Sequence, residues 1–212
     1  MSMANLFRPG RLRRALHRAL FSLSPRLAQG LDVRFCYDSA DRRFLEGPVF
    51  DFLNTCYRAR HARCLFIGMS RYNWHYPRLL ALDFHSVDID PRCARYGQPG
   101  RHVTGDATAL RDYYPASHFE VVIANGMVGY GVNDAGSFGR LLHGAIDVLK
   151  PGGRLILGYN DTRRRLRFDM EGMLAACGLA REAPPILGLE GHTLLFPAPG
   201  CHRYVFLRKP RG

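Results

Sequence analysis

From residue 62 onward, short apolar runs alternate with longer stretches in which apolar residues recur at helical spacing. Strands that alternate with helices along a chain predict a parallel sheet with right-handed crossovers. The fourth run is apolar at successive positions, which is typical of a central strand covered on both faces. The five runs are RCLFIG (63–68), FHSVDID (84–90), RHVTGDA (101–107), FEVVIAN (119–125) and GRLILGYN (153–160).

The residues between and after these five runs predict the helices and the last two strands of the sheet. A helix near 168–178 is predicted to end at Gly178, which has the residue type common at helix C-termini. Two late strands, at 192–196 and 202–208, are separated by a Pro/Gly turn. The sequence therefore predicts an α/β fold: a doubly wound, mostly parallel sheet with helices on both faces. The helices between the five runs are predicted at 74–82, 91–96, 108–113 and 135–149.

The N-terminal segment has a different pattern. Residues 5–28 predict a basic amphipathic helix, and Pro25 ends it or begins the next helical piece. Two interpretations are open: the helix packs on the domain, which we favour, or it lies on an anionic membrane surface. The apolar residues at helical spacing are Leu12, Leu16, Leu20 and Leu23.

A second helix is predicted at residues 45–60, where apolar side chains again form a stripe. The regular alternation of strands and helices begins only after it. We therefore expect an N-terminal helical extension over residues 1–61 and a Rossmann-like domain over residues 62–212. The stripe consists of Leu45, Val49, Phe52, Leu53 and Cys56.

The charge of the chain narrows the choice of partners only slightly. Lys and Arg total 30 against 18 Asp and Glu, giving a formal net charge of +12 at pH 7. Such an excess attracts nucleic acid, acidic lipid or an anionic substrate. Because the arginines are mostly dispersed along the chain, we favour a solvated basic surface.

The six cysteines contain no CxxC pair, so the sequence predicts neither a zinc site nor a disulfide framework. No apolar run is long enough to span a bilayer, and the N-terminus lacks the features of a signal peptide. We expect a cytoplasmic protein, with membrane association left open by the basic helix. The cysteines are Cys36, Cys56, Cys64, Cys93, Cys177 and Cys201.

Candidate binding residues stand at the carboxyl ends of the predicted strands, where doubly wound sheets bind ligands. Gly68 ends the first strand and allows a sharp turn and close approach of a ligand. Asp88 ends the second strand 20 residues later, and its carboxylate can accept both hydroxyl hydrogens of a ribose. Asp106 follows the third strand and can accept from an exocyclic amine such as that of adenine, while Asn125 ends the fourth.

This ordered set resembles the class I methyltransferases that use S-adenosyl-L-methionine. The matching segments are VDID (87–90), GDAT (105–108), FEVVIANG (119–126) and LKPGGRLILG (149–158). The resemblance covers roughly residues 62 to 208 and implies a seven-stranded sheet that the late strand pair closes. It implies S-adenosyl-L-methionine as the cofactor, held by residues of these segments and of the first loop: Gly68, Ser70, Asp88, Ile89, Asp106, Ala107 and Asn125.

The first loop departs from the family pattern of an acid followed by three alternating glycines. Phe66 stands in the position of the acid, and Ser70 and Tyr72 stand in the positions of the second and third glycines. Three interpretations follow. The cofactor is held by backbone groups and neighbours such as Ser70 or Asn125, the domain is a scaffold without cofactor, or it binds another nucleotide-like ligand.

Methyl transfer is an in-line displacement in which positioning supplies much of the catalysis, and a general base helps when the acceptor is a hydroxyl. ANGMVG replaces the NPPY sequence typical of enzymes that methylate base or amide nitrogens, so nucleic acid is less favoured. We therefore expect a small-molecule or glycan acceptor, methylated at oxygen. Candidate catalytic residues in loops at the same sheet edge are His75, Asn125, Tyr130, Asn160 and Asp161.

Overall fold

The computed structural model describes residues 9–33, 35, 38–58, 61–198 and 200–211. Predictions for residues 5–8, 59 and 60, and for Cys36, lie outside these residues. The described strands are β1 (Arg63–Ile67), β2 (Asp83–Asp88), β3 (His102–Thr104), β4 (Phe119–Asn125), β5 (Leu149–Asn160), β6 (Ala180–Arg181), β7 (Thr193–Phe196) and β8 (His202–Arg208).

These strands form one twisted sheet in the order β3-β2-β1-β4-β5-β8-β6, and β7 also pairs with β8. β1 to β5 run parallel to one another, whereas β8 runs antiparallel to β5, β6 and β7. The order reverses between β1 and β4, so the carboxyl ends of β1 to β5 meet at one edge. The predicted doubly wound, mostly parallel sheet is confirmed.

Two details differ from the expected seven-stranded arrangement. The sheet has eight strands, because residues 180–181 pair with β8 where the sequence gives no strand pattern. β5 begins at Leu149, before the strand predicted from residue 153, and Leu149 already pairs with Phe119 of β4, so Pro151-Gly152-Gly153 lies inside the strand. The register shifts beyond that pair, so the two glycines form a local irregularity in a long strand.

The helices lie close to where the sequence predicts them, but several are shorter than predicted or are 3₁₀ helices. The stretches predicted at 91–96 and 108–113 are short 3₁₀ helices, and the first crossover contains only one helical turn. The α-helices are α1 (Pro9–Leu23), α2 (Pro25–Gly30), α3 (Ala40–Phe44), α4 (Phe50–Tyr57), α5 (Tyr76–Leu79), α6 (Ala135–Val148) and α7 (Met170–Ala176), and a π-helical turn, Leu45–Val49, joins α3 to α4.

Each face of the sheet is covered by its own apolar layer. On one face, α6 and α7 pack through Phe138, Leu142 and Leu174. On the other face, the segment from α3 to α4 packs through residues such as Phe50 and Leu53. Residues 40–57 therefore share a core with the sheet, while the predicted boundary near residue 61 stays a prediction.

α1 and α2 extend the N-terminal apolar layer that α3 and α4 form on this face of the sheet. Ser24 caps α2 by accepting from the Leu27 amide at 3.2 Å. Pro25 is the first residue of α2, which agrees with the prediction that it begins the next helical piece. Phe21 and Ala28 are buried against the domain. Within the described residues, no helix is long and apolar enough to cross a membrane.

Candidate active site

The carboxyl ends of the parallel strands open into a cavity of about 730 Å³. All but two of the predicted site residues line it, because the parallel strands deliver their C-terminal loops to the same edge. The structure thus brings these residues together, while their chemical roles stay predictions. The predicted residues that line the cavity are Gly68, Ser70, Asp88, Ile89, Asp106, Ala107, Asn125, Tyr130 and Asn160.

His75 and Asp161 do not belong to the lining, and their predicted place at the cavity is wrong. His75 is buried in the N-terminal layer, where its Nε2 lies 3.4 Å from Glu46 Oε1. Asp161 forms an ion pair with Arg203 at 2.8 Å. Both residues follow a strand in sequence, but packing turns their side chains to partners outside the cavity.

The loop after β1 is held by an asparagine side chain in place of glycines. Asn73 Oδ1 accepts from the Ser70 amide at 2.6 Å, and Asn73 Nδ2 donates to the Gly68 carbonyl at 3.1 Å. Ser70 Oγ in turn accepts from the Tyr72 amide at 3.3 Å. Gly68 itself has φ +93°, a conformation that favours glycine. The loop thus keeps one glycine and uses side-chain hydrogen bonds for the rest of its turn.

Phe66, in the position where the family has an acid, points away from the cavity. Its ring is 1% exposed and lies 5.2 Å from Tyr76 and 6.1 Å from Phe84, measured between centroids. These contacts place it in the apolar layer beneath the N-terminal helices. The side chain at this position therefore offers the cavity no acidic group.

α3 brings a carboxylate and a guanidinium to this same part of the cavity. Ser39, Asp41 and Arg42 all line it, at the N-terminus of α3. Arg42 donates to the Tyr72 carbonyl and, at 3.0 Å, to Glu46, so the helix is tied to the loop after β1. Ser39 Oγ is buried and has no hydrogen-bond partner among the described residues. No sequence motif marks these residues as part of the site, since their helix is distant in the chain from the strand ends.

The two aspartates at the strand ends have distinct surroundings. Asp88 Oδ1 accepts from the Asp90 amide at 2.8 Å, and burial raises the pKa of the Asp88 carboxyl, with the Asp90 carboxylate adding to the effect. Asp106 Oδ1 accepts from the Thr108 amide at 2.8 Å. Both carboxylates are oriented by the backbone that follows their strand, and both line the cavity.

A histidine that sequence analysis missed lies in the wall of the cavity. His202, the first residue of β8, is 8% exposed, and its Nδ1 lies 2.8 Å from Asn160 Oδ1. The Asn160 amide nitrogen donates to the Tyr130 hydroxyl at 3.2 Å. With the amide in that orientation, Asn160 Oδ1 accepts from His202 Nδ1–H, which leaves Nε2 unprotonated. Burial lowers the pKa of His202, although Asp41 opposes the shift, so the neutral ring is favoured.

His202 and Asn125 both pack against Gly158 of β5. Neither His202 Nε2 nor Asn125 Oδ1 has a hydrogen-bond partner within the described parts of the chain. A Cβ on Gly158 would collide with Asn125 Oδ1 and would lie 2.9 Å from His202 Nε2. The glycine therefore lets these two unpartnered polar atoms pack directly against β5. Buried polar atoms without partners are costly, so a ligand or water that reached either atom would be favoured.

Comparison with solved structures identifies the fold. N-methyltransferase NodS from Bradyrhizobium japonicum WM9 matches with a TM-score of 0.59 and 16% identity, covering 82% of this chain and 98% of that one. The 1,6-didemethyltoxoflavin-N1-methyltransferase of Burkholderia thailandensis, whose structure holds S-adenosylhomocysteine, matches with a TM-score of 0.56 and 16% identity, covering 95% and 90%. The [4+2]-cyclase SpnF matches with a TM-score of 0.55 and 16% identity, covering 77% and 80%.

No protein-family model matches the sequence, and no curated protein does either. At 16% identity, the likeness to these structures shows a shared fold, and the reaction has to be argued from the site itself. The cyclase among the neighbours illustrates why, since one fold hosts different reactions.

Proposed function

We propose that this chain, which has the Rossmann-like fold of the class I S-adenosylmethionine-dependent methyltransferases, is itself such an enzyme. One observation carries the proposal. A single cavity is lined both by the polar residues at the strand ends and by His202, whose buried imidazole is oriented by Asn160. We propose a small molecule or glycan as the acceptor, with a hydroxyl group as the site of methylation.

The cavity residues suit the nucleoside part of the cofactor. The Asp88 carboxylate only accepts hydrogen bonds, as a group that binds both hydroxyls of a ribose must. Because the carboxylate is partly buried, two hydroxyl donors would stabilise its charged form. Asp106 follows the neighbouring strand and suits an exocyclic amine. Ile89 is 69% exposed beside Asp88, so its side chain offers an apolar surface for a base. The donors and acceptors present therefore fit an adenine nucleoside.

α3 suits the amino-acid end of the cofactor. Asp41 and Arg42 present opposite charges near the loop after β1, and a methionine moiety carries an ammonium and a carboxylate. Ser39 Oγ adds a buried hydroxyl that lacks a partner in the described structure. Asp41 thus replaces the missing loop acid, whose position Phe66 occupies with its ring turned into the core.

His202 supplies the proton acceptor in the proposed reaction. When bound, S-adenosylmethionine supplies an electrophilic methyl group, and the electron pair of the broken sulfur–carbon bond leaves on sulfur as S-adenosylhomocysteine. His202 Nε2 takes the proton of the acceptor hydroxyl as the oxygen forms its new bond to carbon. Asn160 holds the ring in the required tautomer, and Tyr130 holds Asn160. Asn125 Oδ1, which has no partner among the described residues, is available to accept a second hydrogen bond from the acceptor.

Calorimetry with S-adenosylhomocysteine tests cofactor binding. We expect the wild type to bind, and Asp88→Asn to weaken binding about tenfold or more, because hydrogen bonds to a charged acceptor are worth roughly 1.5–3 kcal/mol. Asp112→Asn, at an exposed position outside the cavity lining, serves as the control and is expected to bind like the wild type. A wild type that does not bind, or an unchanged Asp88→Asn, would contradict the proposal.

A second calorimetric comparison tests the role of α3. Asp41→Asn is expected to weaken S-adenosylhomocysteine binding by roughly tenfold, because the ammonium loses its charged partner. Binding of methylthioadenosine, which lacks the amino-acid end, should not change. Asp51→Asn, in the exposed first turn of α4, is the control. Equal losses for the two ligands would show that Asp41 does not hold the amino-acid end.

The acceptor is sought by measuring S-adenosylhomocysteine release with a panel of small molecules and glycans that carry hydroxyl, amine or thiol groups. Hydroxyl compounds are expected to react fastest, because a hydroxyl gains most from a base that removes its proton during transfer. Preferential reaction of amines would redirect the proposal to nitrogen. Cofactor binding without turnover across the panel would instead favour a catalytically inactive binding protein of this fold.

A further inference from the structure

α1 turns its apolar face to solvent. Leu12, Leu16 and Leu23 are 55%, 60% and 85% exposed. At about 100° per residue, these three side chains lie within about 40° of one another around the helix axis. Phe21, by contrast, lies about 160° away from them and is buried against the domain. The expectation that the leucine stripe packs on the domain is therefore wrong for these residues.

The helix nevertheless has a fixed place on the domain. Phe21 contacts Phe35 and Trp74, each with a ring-centroid distance of 5.6 Å. α2 is tied down as well, since the side chain of Gln29 donates to the Arg95 carbonyl at 3.1 Å and its own carbonyl accepts from Arg78 at 3.2 Å. These contacts fix the orientation of α1, so its leucines stay exposed on one face. Contiguous exposed apolar surface of this kind marks an interaction site.

Basic side chains accompany this face. Arg13 of α1 is exposed and lies about 60–100° from the three leucines around the helix axis, and Arg26 of α2 is exposed as well. α1 contains no acidic residue, and the chain as a whole carries a formal net charge of +12. Leu27 and Leu31 add further exposed apolar side chains beyond α1. An apolar stripe among arginines, without acids, is the pattern of helices that lie in the interface of an anionic bilayer.

We propose that the exposed leucine face of α1, with the arginines beside it, docks the protein on an anionic lipid bilayer. The leucines enter the boundary between head groups and acyl chains, and the arginines contact the lipid phosphates. Charge complementarity favours this partner over a second copy of the same basic chain, because two such faces would repel each other. The proposal does not depend on the reaction catalysed in the cavity.

The face of α1 opposite the leucines is linked through packed aromatic rings to the loop after β1. Phe21 contacts Phe35, and the Phe35 ring lies 4.8 Å from that of Tyr72, which lines the cavity. Arg71 stacks over Phe35 at 4.8 Å. Three packed rings thus connect α1 to the loop after β1, which lines the cavity.

Co-sedimentation of the full chain with lipid vesicles tests the proposal. We expect binding to vesicles of phosphatidylglycerol and phosphatidylcholine and about tenfold weaker binding to pure phosphatidylcholine. A variant with Leu16→Glu and Leu23→Glu should bind at least about tenfold more weakly than the wild type. Leu187→Glu is the matched control, because Leu187 is also 85% exposed but lies outside α1 and α2. Buried Trp74, the single tryptophan, reports by its fluorescence that each variant is folded.

The arginines are tested separately. Arg13→Gln with Arg26→Gln should weaken binding by about fivefold for each charge removed, and raised salt should weaken binding by the wild type. Arg163→Gln with Arg164→Gln removes the same charge from another exposed segment and should have little effect. Equal binding to neutral and anionic vesicles, or unchanged binding of the leucine variant, would overturn the proposal. Binding to single-stranded RNA that the leucine substitutions leave unchanged, without vesicle binding, would overturn it in favour of nucleic acid.

Discussion

His202→Asn is expected to lower the rate of methyl transfer by about 100-fold or more, while S-adenosylhomocysteine binds as it does to the wild type. A general base contributes roughly 10²–10⁴ to such reactions. The asparagine amide can still donate to Asn160 Oδ1 in place of His202 Nδ1–H. It has no group that reproduces Nε2, so the substitution removes the proton acceptor and keeps its neighbours. The measurement is product formation with the hydroxyl acceptor found in the panel, together with calorimetry.

The pH dependence of the wild type gives an independent readout. Because burial lowers the pKa of His202, its imidazole stays neutral to more acidic pH than an ordinary histidine does. Transfer should fall only as the pH drops through this lowered pKa, and the falling limb should disappear in His202→Asn. Titration of the ring by NMR checks the pKa without any acceptor. His143→Gln, on the exposed side of α6, is the matched control. A full rate in His202→Asn, or a His202 pKa above 6.5, would contradict the assigned role.

Phe66→Asp, which restores the acid of the family pattern, is expected to lower the free energy of unfolding by about 4 kcal/mol or more. Loss of a buried phenylalanine ring costs roughly 3–5 kcal/mol, and an unpaired polar group in its place adds to that cost. Since domains have only about 5–15 kcal/mol of stability, most of the variant should be unfolded or marginally folded. Denaturant unfolding followed by Trp74 fluorescence measures the change.

Phe66→Leu provides the comparison for this substitution. It keeps an apolar side chain among Tyr76 and Phe84, and we expect a loss of about 1–2 kcal/mol with cofactor binding preserved. If Phe66→Asp were as stable as the wild type and bound S-adenosylhomocysteine more tightly, the side chain at this position would face the cavity. The assignment of the acidic function to Asp41 would then be wrong.

Much of the site could be predicted because the cavity follows from strand periodicity. Gly68, Asp88, Asp106 and Asn125 each follow a strand that its apolar run identifies. Carboxyl ends of neighbouring parallel strands meet at one edge, so the order of these residues along the chain is enough to group them. The same reasoning failed for His75, because a position after a strand does not decide which way a side chain turns.

Asp41, Asn73 and His202 could not be found in the same way. Each acts through a partner that is set by packing: Asp41 enters on a helix that covers the sheet, and His202 opens an antiparallel strand beside Asn160. Asn73 replaces glycines with hydrogen bonds that depend on the shape of the loop. None of these residues belongs to a pattern of apolar spacing, so local sequence carries no signal for them.

The sequence by itself determined the alternation of strands and helices, the parallel sheet and the row of polar residues at its edge, since these follow from periodicity and chain connectivity. It also determined the amphipathic character of α1. Only the tertiary structure decided that the leucines of α1 face solvent, that Phe66 lies in the core, and that Asp41 and His202 line the cavity. The physical reason is that burial and side-chain direction depend on which distant segments pack together, and this packing depends on the sequence of the whole chain.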